Sequence, residues 1–400
     1  MKFGLPKIAF RKHLSTLFIA VCIMHLADFV IIPILPVILK IDKGLTPAQI
    51  GYIIGAGALS FQIGSIGGGL ISDKIGRKFT LITGAIIEII ALIGFGLSNT
   101  YSMFHLFQIL NGIGAGFFAP TIKAAISEYS KDSEDTRTTA FSLRGMSANL
   151  GIAIGGLIPL LVVGLTFSTF FFISAFFYVG LLLLSLFIPN SVDENQNHNI
   201  TIKRYVEILK NKPFMVVSIL FIFVWAIYAQ LSLLLPLRAI TIFKNAKLVG
   251  SIWTLTSLFV VLLQTSIESR IIRKIHIITS IAYGTLIMGI GIFLIGFSYS
   301  YFILLLSGFI FIIGEMLMTP TIDSTTSMLA NKDIIAGYFS VGNIIYGLGT
   351  ALGSFVGGKL INNYGINSLI PWFIILIASF FIALIVYIVG KTALIKKVLN

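Results

Sequence analysis

Four carboxylates fall within or at the edge of long apolar stretches: Asp28, Glu88, Glu315 and Asp323. Two bases, Lys123 and Arg144, do the same. At the centre of a bilayer an ionisable group costs roughly 2.5–3.5 kcal/mol on insertion scales, so it faces a bundle interior or water rather than lipid. A low-dielectric site favours the neutral carboxylic acid over the carboxylate. Such a group can take a proton on one side of a membrane and lose it on the other. It can also pair with a cation, and competition between the two is the simplest physical basis for antiport. Asp28 is the leading candidate. It lies mid-stretch, with His25 three residues earlier on the same helical face. The alternative is a structural acid paired with Arg144, and His25 reads as a polar residue bonded to a neighbouring helix. Lys123 and Asp323 sit near stretch ends, where snorkelling is cheap, and read as gate or topology residues.

The elements that must position these groups are membrane spans. The chain is 57% hydrophobic and 11% charged, with a mean hydropathy of +1.00. A soluble domain of that composition would expose large apolar patches. Runs long enough to cross a bilayer as helices, about 20 residues each, recur near 14–39, 48–71, 79–98, 101–126, 140–163, 166–189, 213–237, 248–267, 276–298, 301–326, 336–361 and 367–391. The continuous Ile, Leu and Phe runs lack the alternation of a membrane β-barrel, so an all-α membrane protein with 12 transmembrane helices is expected. The net charge of +13 would suggest nucleic acid until the bases are placed. With both termini inside, the loops on that side carry more than three times as many bases as the outer ones. That bias sets topology in a cell membrane and argues against a nucleic-acid partner. Cys22 is the single cysteine, so no disulfide within the chain is expected. The first apolar run is too long for a signal-peptide core and reads as a retained span.

The longest polar stretch, 190–212, divides the spans into two sets of six. The expected organisation is therefore two six-helix bundles, 1–189 and 213–400, joined by a cytoplasmic linker whose second part is either an amphipathic surface helix or a solvated segment. The halves echo each other at an offset near two hundred. Ala119-Pro120-Thr121-Ile122 recurs as Thr319-Pro320-Thr321-Ile322, Gly114 matches Gly314, and Gly151 and Gly155 match Gly349 and Gly353. Glu315 is then a second acid, in the opposite half from Asp28. Between the second and third spans runs Gly69-Leu70-Ile71-Ser72-Asp73-Lys74-Ile75-Gly76-Arg77-Lys78. Here Gly69 would allow close helix approach and Gly76 a tight turn.

That last pattern, Gly-x-x-x-Asp-(Lys/Arg)-x-Gly-Arg-(Lys/Arg), resembles the signature between the second and third helices of major facilitator superfamily transporters. Asp28 with Pro33 and Pro36 resembles the acid-then-Pro-x-x-Pro pattern of that family's drug and metabolite exporters. Asn149 to Gly156 resembles their fifth-span motif, with Gly155-Gly156 in place of the usual Gly-Pro. Tyr228-Ala229-Gln230 with Pro236, and Gly314-Glu315 with Pro320, resemble a bacterial multidrug-exporter subgroup. In the fourth span the motif's arginine is Gln108, a departure at a position tied to proton coupling in relatives, and Arg144 one span on is the possible substitute.

The resemblance implies a gating loop of Gly69, Asp73, Lys74, Gly76, Arg77 and Lys78. In it Asp73 lies near the start of span 11, where the helix dipole favours an anion, and Arg77 pairs with Glu128. Glu88 falls on the peripheral third span and reads as structural. Proton coupling is expected through Asp28, Glu315 and Arg144, in a cavity lined by Asp28, Asn149, Tyr228, Gln230 and Glu315. The implied activity is secondary active transport by a single chain, with protons and a small amphipathic drug or metabolite as partners. Export of one endogenous metabolite such as a metallophore, or proton-coupled import, are the alternatives. No His-Glu-x-x-His and no Walker-type glycine-lysine loop occurs, so no metal, cofactor or ATP-driven cycle is expected. An enzyme or sensor would need a catalytic set or a soluble domain that the sequence does not display.

Overall fold

The computed structural model describes residues 11–130, 134–161, 166–189, 202–243, 248–331, 335–392 and 395. Their regular elements are helices. The first half holds α1 (Lys12–Ile31), α2 (Leu35–Val37), α3 (Pro47–Ile75), α4 (Arg77–Leu97), α5 (Tyr101–Tyr129), α6 (Glu134–Leu161) and α7 (Phe167–Ser185). A short α8 (Ile202–Lys210) follows. The second half holds α9 (Lys212–Tyr228), α10 (Gln230–Ile242), α11 (Val249–Arg270), α12 (Ile277–Gly296), α13 (Tyr301–Leu329), α14 (Ile335–Tyr364) and α15 (Ile370–Gly390). Among the described residues, eleven segments are long and apolar enough to span a bilayer, and α11 carries a shorter apolar run, Val249–Gln264, where the remaining span is expected. Phe380, Phe381 and Ile388 of α15 are each more than half exposed, as side chains facing lipid are.

The first span of each half is interrupted. Pro33 has no N–H and its ring crowds the carbonyl of Phe29, so α1 stops at Ile31 and resumes at α2, which runs into a π-helical turn at Ile38–Asp42. In the second half the break falls at Ala229, between α9 and α10. There the Gln230 side chain does the repair: its Nε2 donates to the Ala226 carbonyl (3.2 Å) and to the Gly353 carbonyl of α14 (2.8 Å). Gln230 is 3% exposed. Gln230→Leu removes both donors at constant bulk and is expected to cost about 1–3 kcal/mol, read as a lower unfolding temperature in detergent with cation affinity unchanged.

The chain forms two compact units. The first contains residues 1–38, 59–195 and 247–258; the second contains 39–58, 196–246 and 259–400. Within the first, α1 packs on α6 and α7, and α4 packs on α5 and α7. Within the second, α9 packs on α14 and α15, and α12 on α13 and α15. The same pairings thus occur twice, and the same glycines make them. A methyl group on Gly114 would strike Glu88 and the Gly84 carbonyl; one on Gly314 would strike the Gly284 carbonyl and Met288. Gly151 and Gly155 lie against backbone of α1 at Cys22 and Leu26, while Gly349 and Gly353 lie against α9 at Ile222 and Ala226. Backbones this close gain dispersion contacts that bulkier residues would forbid. Even the caps repeat: Thr100 and Ser300 accept from the backbone N–H groups of Met103 and Ile303 at the starts of α5 and α13.

Candidate transport site

The first unit places Asp28 in the last full turn of α1, half-buried. The Tyr178 hydroxyl of α7 donates to Asp28 Oδ1 at 2.6 Å. One turn earlier on α7, Ser174 donates to the Ala27 carbonyl at 2.8 Å, which fixes the register of the two helices. Asp28 opens on a cavity of about 240 Å³. Its polar wall is Asp28, Gln108, Asn111 and Ser174, and its aromatic wall is Phe61, Phe95 and Phe171. Phe95 and Phe171 stack with centroids 5.0 Å apart. The volume is just below the range of drug-sized pockets, and its balance of apolar walls and few polar groups is that of a small-molecule site.

Arg144 does not reach Asp28. Among the described residues the two form no ion pair, and Arg144 Nε is buried without a hydrogen-bond partner. The structural pairing of Asp28 with Arg144 is therefore absent. His25 also differs from expectation: its Nδ1–H donates to the Val21 carbonyl of its own helix at 2.9 Å, rather than to a neighbour. Asn149 likewise spends its amide on Gly145, one turn back on α6.

The second unit places Glu315 on α13, where Tyr228 of α9 donates to its Oε1 at 3.5 Å. Trp225, Phe311 and Tyr346 complete an aromatic surround. Trp225 meets Tyr228 and Tyr346 edge-on at 5.2 and 4.7 Å, and Tyr228 lies 6.0 Å from Phe311. Aromatic faces beside a carboxylate attract organic ammonium groups. Trp225, Phe311, Tyr346 and Tyr178 were not singled out from the sequence, because an aromatic residue in a span has the same appearance whether it faces lipid or core. Gln230, expected in this lining, has its Nε2 on the Ala226 and Gly353 carbonyls.

The loop pattern is resolved in detail. Ile75 ends α3 and Arg77 begins α4, so the connection is Gly76 alone, at φ +98°, a conformation that needs glycine. Arg77 Nε lies 3.8 Å from Glu128 Oε2, and its guanidinium also donates to Ser72 Oγ at 2.7 Å. Lys78 donates to the Leu186 carbonyl just past α7, a cation at a helix C-terminus. Gly69 differs from expectation. A methyl group there would meet nothing within 4 Å, and the close approach to α5 is made by Gly64 and Gly68. The side chain of Asp73 and the linker residues 190–201 lie outside the described residues.

A model of the Major Facilitator Superfamily matches residues 17–354. The chain belongs to that superfamily. It is 25% identical over 358 residues to the uncharacterized MFS-type transporter YqjV of Bacillus subtilis (strain 168), covering 88% of this chain and 86% of the relative. It is 26% identical over 368 residues to Multidrug resistance protein 2 of the same organism, covering 87% and 88%. The crystal structure of a POT family transporter in complex with a thioalcohol-conjugated peptide superposes with a TM-score of 0.79 over 96% of this chain and 98% of that one, at 20% identity, which establishes the fold. As a superfamily member the protein is a secondary active transporter, not an enzyme. Gln108, singled out in the fourth span, lines the Asp28 cavity.

Proposed function

We propose that this chain exports small, partly apolar organic cations in exchange for protons across a bacterial cell membrane. We read it as a monomer with both termini cytoplasmic, its two six-span halves, 1–189 and 213–400, acting as the moving bodies about the 190–212 linker. One observation carries this reading. Each unit holds a carboxyl group, Asp28 or Glu315, whose side-chain partner is a tyrosine hydroxyl and, among the described residues, no base. A carboxylate without a fixed counter-ion must be neutralised by something mobile, and a proton or a substrate cation can each do so. The two then exclude one another, which is exchange. The neutral Gln108 supports the same reading, since an arginine there would supply the missing counter-ion permanently. Multidrug resistance protein 2 is a relative over most of both chains, consistent with export.

The test is proteoliposomes loaded with a pH-sensitive dye and given an inside-acid gradient, challenged with tetraphenylphosphonium and cationic dyes. Cation accumulation that discharges the gradient, and that a protonophore abolishes, is the expected result. Cation movement without proton movement would refute proton exchange.

A further inference from the structure

Glu88 is fully buried on α4, 0% exposed. Its side chain occupies the notch left by Gly114, whose missing methyl group would strike Glu88 Cγ. Asn111 of α5 donates to Glu88 Oε2 at 2.5 Å. Oε1 has no hydrogen-bond partner. Asn111 itself lines the Asp28 cavity, so one residue touches both the cavity and the buried acid. On α7, which packs against α4, the titratable group is the Tyr178 hydroxyl, and Asp28 of α1 is bonded to it. On α5, which also packs against α4, His105 and Lys123 are six and twelve positions from Asn111. Those separations are about 9 and 18 Å along the helix. Among the described residues, neither Glu88 nor Asp28 forms an ion pair with a base.

Asn111 is the one side chain that donates to this carboxyl among the described residues, and Oε1 meets no side-chain partner there. Two carboxylates without a counter-cation also cannot both ionise cheaply. We propose that Glu88 is a second proton-binding site of the transport cycle, working as a pair with Asp28 and reached from the cavity through Asn111. A cation arriving at Asp28 would then displace a proton held by the pair rather than by one acid. A merely structural Glu88 would keep its proton throughout. The inference rests on the proton-exchange reading for its role in transport, but proton binding at Glu88 can be measured without transport.

The measurement is an infrared titration of the carboxylic-acid carbonyl stretch of the full chain in detergent, intact and as Glu88→Gln, with and without tetraphenylphosphonium. The expected result is a protonated-carboxyl band that Glu88→Gln removes, that fades as pH rises, and that the cation diminishes at fixed pH. The pH at which cation binding releases protons should shift in Glu88→Gln, since Asp28 then titrates alone rather than as one of a pair. A Glu88 band unchanged by pH and by cation would overturn the proposal. Should Glu88→Gln fail to fold, carbodiimide labelling of the intact chain with peptide mass mapping serves instead. Labelling at Glu88 that the cation and rising pH both suppress supports the proposal; labelling indifferent to both contradicts it. If the band titrates while proteoliposomes carry no proton-coupled cation flux, Glu88 still binds protons and it is the exchange reading that fails.

Discussion

Gln108→Arg is expected to reduce transport of organic cations on the order of a thousandfold while leaving the protein folded. Residue 108 and Asp28 line one cavity, so the new guanidinium and the carboxylate share an enclosed, partly apolar space. Two opposite charges about 4 Å apart attract by about 4 kcal/mol at the effective dielectric typical of such sites, and every 1.4 kcal/mol is tenfold in affinity. A substrate cation would have to displace an arginine that costs nothing to bring to the site. Guanidinium also suits a carboxylate better than ammonium does, because its planar fork donates twice. The check is cation-driven proton flux in proteoliposomes, alongside the unfolding temperature. Unchanged flux in Gln108→Arg would remove Asp28 from the cation path.

Asp28→Asn tests the same carboxylate from the other side. Asparagine keeps the shape, and its Oδ1 can still accept the Tyr178 hydroxyl, so the α1–α7 contact survives. What goes is the charge. Coupled flux is expected to fall by at least about 100-fold, as befits loss of an intramembrane ionisable group on the transport path. Glu315→Gln should have a smaller effect on proton release but should weaken cation binding. Its tyrosine contact is long, at 3.5 Å, and its surroundings are aromatic, an arrangement better suited to holding a cation than a proton. A pattern in which Glu315→Gln abolishes flux and Asp28→Asn spares it would reverse these roles.

The architecture was legible because lipid imposes simple demands. A span must be long, apolar and helical, and twelve such runs can be read directly. The twofold design was visible in particular residues. Gly114 and Gly314 lie two hundred apart and make the same helix crossing, and Gly151 and Gly155 do for α6 what Gly349 and Gly353 do for α14. Gly76 too was readable, since an almost absent loop needs a backbone only glycine tolerates.

The partners of the acids were not legible. Tyr178 lies 150 residues from Asp28, and in an apolar span nothing in spacing or period marks it. Helices apolar on every side carry no stripe that tells core from lipid. For the same reason spacing points to Gly69 for a packing role that belongs to Gly64 and Gly68. Charge alone suggests Arg144 as a structural alternative partner for Asp28, yet position around the helix decides contact. Gln230 reads as a lining residue from its motif, and only the structure shows its amide nitrogen bonded to the backbone of α9 and α14. Glu88 reads as structural from its place on a peripheral span; its link to the cavity through Asn111 is visible only in the structure.

The central claim is that a proton and an organic cation compete for the same buried carboxyl groups. The most direct measurement is proton release on adding tetraphenylphosphonium to the purified, unliganded chain in weakly buffered detergent solution, with no membrane and no gradient. The account predicts that cation binding releases protons, that binding weakens as pH falls, and that Asp28→Asn loses most of the release. Tight cation binding with no proton release, at an affinity indifferent to pH, would contradict it.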